Sequence, residues 1–399
     1  MKQTNQRLIK ASNMKSLFLL VQKEHTSSRA ALAKATQLSK ATVSSLIDEL
    51  IASGYILDCG VGSSPTTGRK PNTLTVNSQQ NYVVVFQWHK TCLNAALISI
   101  NGTIVYEVRD SVVSPSDYLQ KMARILHDDM AHHCPNSRIL GVCIVVPAIV
   151  DGYSKRIVST ALSSSLEQYH LEELQSLIPD YPILVLNDTS CYAYAECVHS
   201  AMENVYYAFV NIGTGVGAVM LDHGHFFRAA NGMTTQFGHF SVDRRGEKCN
   251  CGNRGCLERR IGELYLYQRA LKEGCGELFA NEEAASFDQL AEMVYAGEPS
   301  ALKLLHSLAQ DTAYALSNLI SLCNPQEIVI GGNGMVLGEP FMDHLRNEIS
   351  HMGFTLFMEN VKIRFSKLNK SSAISGAASY YIDHYFTFDE DMARELYIG

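Results

Sequence analysis

The apolar residues of this chain change rhythm as it is read from its N-terminus. Over the first fifty residues they keep a helical spacing. Leu17, Phe18, Leu20 and Val21 put one apolar face on a first helix. Ala31, Leu32 and Ala35 mark a short second helix, with Ser27 or Ser28 placed to cap it. After "TQL", the stripe Val43, Leu46, Ile47, Leu50 and Ile51 predicts a third helix. Ser39 suits its N-cap, Leu38 and Val43 suit a hydrophobic staple around that cap, and Gly54 provides the stop. Short strands are expected at 55–57 and 73–76, separated by a Gly/Ser/Thr/Pro stretch that ends in Gly68, Arg69, Lys70 and Pro71.

From residue 82 onward the pattern is mixed. A strand at 82–86, a hairpin over 93–108 turning at Asn101 and Gly102, and a helix over 119–133 come first. A buried strand closed by Pro147 and Gly152 follows. "YPILVLNDTSCYAYAECVHSA" reads as a strand running into a helix, with Asn187 and Asp188 at the strand's C-terminal edge. "VYYAFVNIGTGVGAVML" reads as two strands around a glycine turn, "PQEIVIGGNGMVLG" as a strand into a glycine-rich loop, and "SAISGAASYYIDHYF" as a closing helix. The body is therefore α/β, and polar residues at its strand ends mark a ligand cleft. No internal sequence repeat or low-complexity segment stands out.

Composition adds a class and a partner. The chain has 399 residues, 46% hydrophobic and 18% charged, which is ordinary globular usage and room for two or three domains. No apolar run is long enough to span a membrane, and the N-terminus lacks the marks of a signal peptide. Eleven cysteines without disulfide-like density predict a reduced, cytoplasmic protein in which some thiols serve a metal. Residues 1–76 hold ten Lys or Arg against four Asp or Glu, about +6, whereas the remaining 23 basic and 36 acidic residues give about -13. A basic head on an acidic body points to a polyanion as the head's partner. On the third helix Ser39, Lys40, Ala41, Thr42, Ser44 and Ser45 are compact enough to approach a base edge or phosphate, and Arg29 opens the helix before it. Arg69 and Lys70 form a basic hook suited to a narrow minor groove.

The stretch "KCNCGNRGCLERR", residues 248–260, carries Cys249, Cys251 and Cys256 within eight residues. Taken alone it fits a metal knuckle, a redox pair or three free thiols, although C-x-C with a third cysteine five positions on departs from the C-x-x-C redox spacing.

"GRKP" at 68–71, "LND" at 186–188, "GH" at 238–239 and C-x-C-G-x-x-G-C-x-E at 249–258 occur in one order and spacing. Together they resemble a transcriptional repressor of the ROK family (repressor, open reading frame, kinase), over essentially the whole chain. The resemblance implies an N-terminal winged helix-turn-helix, then a two-lobed actin-like (ribonuclease-H-like) ATPase and sugar-kinase fold. The expected divisions are a DNA-binding domain at 1–76, a linker at 77–81, a small α/β lobe at 82–187 plus 371–399, and a large lobe with the zinc loop at 188–370. It further implies that His239, Cys249, Cys251 and Cys256 hold a structural zinc ion with no open coordination position. A sugar would be held by Asn187, Asp188, Gln236, His239 and Glu258, with Asn231 and Gly232 on the loop before. Gln236 departs from the family's glutamate. It exchanges an acceptor-only carboxylate for a neutral amide, which bears on the identity of the sugar.

The family's kinases take a proton from the sugar with the counterpart of Asp188 and seat ATP phosphates on a D-x-G-G-T turn. Here the matching stretch is Gln87-Trp88-His89-Lys90-Thr91, with no glycine and no acid. Side chains at such a turn obstruct the approach of phosphate to backbone. The expectation is therefore not an enzyme, with Asp188 a vestigial base. It is a homodimeric or homotetrameric repressor of carbohydrate-utilisation genes, released from double-stranded operator DNA when a sugar binds between the lobes. An active sugar kinase, an activator, and a repressor controlled by a partner protein are the competing readings.

Overall fold

The structure is a computed structural model, and it describes residues 2–24, 27–61, 72–114, 116–159, 167–227, 235–369, 372–389 and 396–398. It divides into two compact units, one of Met1–Asn187 with Ala377–Gly399 and one of Asp188–Gly376.

The first unit begins with helices α1 (Lys2–Lys23), α2 (Arg29–Thr36) and α3 (Lys40–Ala52), followed by the antiparallel pair β1 (Ile56–Val61) and β2 (Asn72–Val76). Local rules explain the boundaries. Ser28 and Ser39 each turn a side-chain oxygen to a backbone N–H of the first turn, from Ala31 and Thr42 respectively. Gly54 lies at φ +75, a left-handed geometry that ends α3 and that a side chain would strain. Leu17, Phe18, Val21, Val43, Leu46, Ile47 and Leu50 are buried as their spacing predicts. The second helix forms where the sequence reading puts it. Leu32 and Ala33 are buried, whereas Ala31 and Ala35 face solvent.

The segment read as a linker, 77–81, is packed. Asn77 and Asn81 are buried, and both side-chain amides donate to the Gly54 carbonyl, at 3.0 and 2.9 Å. Farther along α1, Phe18 and Tyr55 join Phe386 and Phe388 in an aromatic cluster, and Arg7 pairs with Asp389 at 2.6 Å. Burying rings and paired amides at this joint ties the three helices to the rest of their unit.

The unit's main sheet uses β3 (Asn81–His89), β4 (Cys92–Ser99) and β5 (Ile104–Ser111) as an antiparallel meander. Helix α4 (Asp117–Arg124) continues through a π-helical turn, Ile125–Met130, into α5 (Ala131–His133). Strand β6 (Arg138–Val146) pairs parallel with β3. A small sheet of β7 (Ile149–Asp151), β8 (Arg156–Ser159) and β9 (Glu167–His170) precedes α6 (Leu171–Leu177), and β10 (Ile183–Asn187) pairs parallel with β6.

The second unit opens with α7 (Asp188–His199) and the meander β11 (Tyr207–Ile212), β12 (Val216–Asp222) and β13 (His225–Phe226). Helices α8 (Glu258–Ile261), α9 (Leu266–Lys272), α10 (Phe287–Tyr295) and α11 (Pro299–Cys323) lead to β14 (Glu327–Gly331), which pairs parallel with β11. Helices α12 (Gly338–Ser350) and α13 (Thr355–Asn360) precede β15 (Lys362–Phe365), and α14 (Ser372–Tyr380) follows. Strand β16 (Leu396–Ile398) closes the first unit's sheet beside β10. The two sheets run β16-β10-β6-β3-β4-β5 and β13-β12-β11-β14-β15. Apart from β16, both are an antiparallel meander whose first strand is extended by two parallel strands. The architecture is thus duplicated where the sequence carries no repeat, because strand order is set by long-range pairing that many sequences satisfy. Each unit has its own apolar core, centred on residues such as Phe86, Trp88, Val142 and Ile144 in the first and Leu304, Leu308, Leu316 and Ile330 in the second.

Candidate functional site

On the N-terminal helices, the first turn of α3 presents Ser39, Lys40, Ala41 and Ser45 to solvent, with Thr42 and Ser44 half-buried. Ser39 Oγ lies 2.8 Å from Thr42 Oγ1 and accepts the Thr42 N–H at 3.1 Å, so this turn is fixed by its own cap. Arg29 is engaged elsewhere. It donates to the Ser44 carbonyl at 3.1 Å and pairs with Asp48 at 2.7 Å, bracing α2 against α3. Arg69 and Lys70 lie outside the described residues, as do Asn231 and Gly232.

Asn187 ends β10, where its side-chain amide donates to the Ala148 carbonyl at 2.9 Å. Asp188 opens α7 and is half-buried. Burial pushes its carboxyl up to about 6, against the pull of hydrogen bonds from Thr189, whose N–H reaches Oδ1 at 2.7 Å. The Thr189 hydroxyl accepts from the Asn211 side chain at 3.4 Å on β11. Glu258, at the start of α8, accepts the Val216 N–H at 3.1 Å where β12 begins. Gly238 comes so close to β12 that a Cβ there would sit 2.0 Å from the Val216 carbonyl oxygen, and a Cβ on Gly217 would sit 2.8 Å from Thr189 Oγ1. The first two residues of β12 therefore gather Asp188 (through Thr189), Glu258 and the Gly238-His239 pair. Gln236 is exposed just before them. The sequence singles out Asp188 and Glu258. Thr189 and the Val216 N–H escape it, since only folding brings them into contact. Gly238→Ala is expected to cost about 1–3 kcal/mol, as overpacking does, read as a lower urea midpoint with an unchanged slope.

His239, Cys249, Cys251 and Cys256 converge, their ligand atoms all within 4.8 Å of one another. Cys251 Sγ is 3.6 Å from Cys256 Sγ, and Cys249 Sγ is 3.7 Å from His239 Nδ1. A tetrahedral ion with metal–sulfur bonds of about 2.3 Å holds its sulfurs roughly 3.8 Å apart, so the donor set fits a metal. The loop is pre-shaped by backbone bonds: Cys249 N–H to Asn253 O at 2.8 Å, and Gly255 N–H to Glu247 O at 2.9 Å. Packed together, the thiols do not ionise alike: against burial, hydrogen bonds from the Asn253 backbone and from Cys256 and Cys249 hold the Cys251 thiol below its ordinary range. Burial, then bonding with Cys251 and Cys249, raises the Cys256 thiol far above its ordinary range, and a cation at the centre reverses that penalty.

The β3–β4 turn is also defined. His89 faces Cys92 across the hairpin, leaving Lys90 and Thr91 as a two-residue turn in which neither residue has positive φ. The His89 carbonyl accepts the Tyr118 hydroxyl at 2.5 Å, and burial holds the imidazole below its ordinary range. The equivalent β11–β12 turn keeps Gly213 and Gly215.

Comparison with known proteins matches residues 89–384 to the ROK family. The xylose repressor of Bacillus spizizenii is 28% identical over 394 residues, spanning 96% of this chain and 97% of that protein. The DNA-binding transcriptional repressor Mlc of Escherichia coli is 21% identical over 378 residues, spanning 93% of each. Among solved structures, a ROK family transcriptional regulator described as a homolog of that Mlc protein superposes with a TM-score of 0.80 at 21% identity, over 94% of this chain and 97% of that one. A ROK family glucokinase from Streptomyces griseus, solved with glucose and AMPPNP, superposes with a TM-score of 0.61 at 18% identity, over 98% of its own length but 75% of this chain. Given a match that runs through both units, the chain belongs to the ROK family.

Proposed function

We propose that the chain is a sugar-responsive, DNA-binding transcriptional repressor of carbohydrate-utilisation genes. The observation that carries this reading is the end-to-end likeness to proteins named as repressors, with 96% of the chain aligned, N-terminal helices included. Helices α2 and α3 and the β1–β2 hairpin act as a winged helix-turn-helix, with the first turn of α3 in the major groove and Arg69 and Lys70 at the wing. Two copies read a near-palindromic operator, as a dimer or within a tetramer. No helix among the described residues is long and apolar enough to cross a membrane, which fits a cytoplasmic regulator.

A sugar is bound by Asn187, Asp188, Gln236, His239 and Glu258, with Asn231 and Gly232 alongside. Carboxylate, amide and imidazole groups give each buried hydroxyl a partner. His239, Cys249, Cys251 and Cys256 hold structural zinc, a closed set that supplies no catalytic position. With one ring nitrogen of His239 in the metal's donor set, the other would remain to donate to the sugar. Sugar lowers operator affinity because it prefers one conformation of the chain over another. The chain does not phosphorylate its sugar. The turn Lys90-Thr91 has side chains where a phosphate seat needs bare backbone, while its β11–β12 counterpart retains glycines.

The test is operator binding by fluorescence anisotropy against a sugar panel, beside an assay for ADP. Some sugar is expected to release the duplex, and none to drive ATP turnover. Brisk sugar-dependent ADP formation with no binding to promoter DNA would reverse the assignment. Lys40→Glu, on an exposed position of α3, is expected to weaken operator binding on the order of 10- to 100-fold and to flatten its salt dependence by about one ion, with an unchanged circular dichroism spectrum.

A further inference from the structure

Helix α8 is one turn long, yet each of its first three residues engages a different part of its unit. Glu258 bonds the start of β12, and Arg259 pairs with Glu247 of the cysteine loop at 2.7 Å. Arg260 turns to α11, where it meets Asp311 Oδ2 at 2.8 Å. Behind Arg260 lies an open cavity of about 710 Å³ between α9 and α11, which none of the residues proposed to bind sugar lines.

Three cations crowd this cavity. Arg260, Arg269 and Lys303 meet Glu273 and Asp311 in its lining, and Asp243 stands outside the lining, beside Arg260. Both guanidiniums converge on one oxygen, since Arg269 also meets Asp311 Oδ2, at 2.9 Å. Asp243 reaches Arg260 no closer than 3.7 Å. Arg269 is 8% exposed, and its Nε has no hydrogen-bond partner among the described residues. A buried guanidinium N–H without an acceptor is costly, and two guanidiniums sharing one carboxylate oxygen leave room for a second anion. Ser307 and Gln310 add neutral polar groups to the lining, and Pro299 and Leu302 an apolar edge. His306 touches His344, with ring centroids 3.5 Å apart.

We propose that this cavity is a second ligand site, for the carboxylate or phosphate of a small metabolite, held by Arg269, Arg260 and Lys303. The oxyanion accepts from the outer guanidinium of Arg260, the ammonium of Lys303 closes the open side, and the Arg269 charge lies behind them. The body of the metabolite lies along Pro299 and Leu302. Because α8 carries Glu258 on its other side, an anion that draws on Arg260 biases the group that meets the sugar. That regulatory consequence rests on the function proposed above, whereas the binding itself does not.

Isothermal titration calorimetry on the full chain, without DNA or sugar and at constant ionic strength in chloride, tests the site. Inorganic phosphate and acetate are the two probes, and the tighter one names the group. Saturable binding of one anion per chain is expected. Arg260→Gln and Lys303→Gln should each weaken it at least tenfold. Lys303 is exposed and Asp311 keeps Arg269 as partner, so neither change threatens folding. Lys40→Glu and Asp188→Asn should leave binding intact, which separates this cavity from the DNA face and the sugar site. Absence of saturable heat with both probes overturns the proposal, and so does undiminished binding in Arg260→Gln. Should the site bind while phosphate leaves sugar-driven operator release unaltered, the link through α8 is wrong and the site stands.

Discussion

Replacing His239 with alanine is expected to strip the metal from the purified chain, from about one zinc ion to less than about a tenth per molecule. It is also expected to lower the melting temperature by roughly 6–12 °C. In isolated zinc-finger peptides the ion supplies about 10–16 kcal/mol and the whole fold depends on it. Here the cysteine loop hangs on a unit with its own large core, in which Cys256 and Leu257 are fully buried. Loss of the ion therefore melts the loop rather than the unit, at a cost of about 3 kcal/mol. For a unit of this size each kcal/mol shifts the midpoint by about 2–4 °C. Three thiols forced within contact of one another without a cation supply part of that cost. The functional signature is selective. The N-terminal helices belong to the other unit, so operator binding should persist while the response to sugar fails, as Glu258 follows the loop directly in sequence. Elemental analysis and differential scanning calorimetry decide the matter. Full zinc content with an unchanged midpoint would remove His239 from the ligand set.

What could be foreseen from the sequence follows the range of the forces involved. The caps at Ser28 and Ser39 and the stop at Gly54 are written in adjacent residues, and the structure places them as the sequence predicts. The short helix α2 is legible as a helix, whereas its inward face is found only in the structure. Its alanines carry little burial energy, so neighbours rather than periodicity decide that Ala33 faces inward. The polar run at 77–81 resembles a linker by composition, yet its two asparagines satisfy the carbonyl of Gly54 inside a packed joint. The duplicated sheet order is invisible in sequence because pairing partners are far apart in the chain. The same division runs through the candidate sites. Cysteines spaced within one loop announce themselves. The sharing of Asp311 by Arg260 and Arg269, from three helices, does not.

Asp188→Asn is expected to raise the sugar concentration needed to release operator by about 10- to 100-fold at pH 7.5, the value of roughly 1.5–3 kcal/mol for a hydrogen bond to a charged acceptor. The same substitution should make the chain more stable, and the pH dependence gives the reason. The carboxyl sits at about 6 in the fold and at 3.8 in the unfolded chain, so between those values the folded state holds the extra proton. Stability therefore falls as pH rises through that window and stays lower above it, by no more than about 3 kcal/mol, and less to the extent that water reaches this half-buried group. An asparagine has no such penalty, so its advantage in urea midpoint should be greatest above pH 7 and vanish below about pH 4. Sugar binding runs the other way. The ionised carboxylate is the better acceptor for a hydroxyl, so wild-type affinity should weaken as pH drops through about 6, while the asparagine variant stays flat. A half-buried carboxylate that lowers stability at neutral pH is a candidate for a binding role. Equal sugar responses from the two chains at pH 7.5 would show that Asp188 is merely a costly helix start, and that the sugar, if one binds, is held without it.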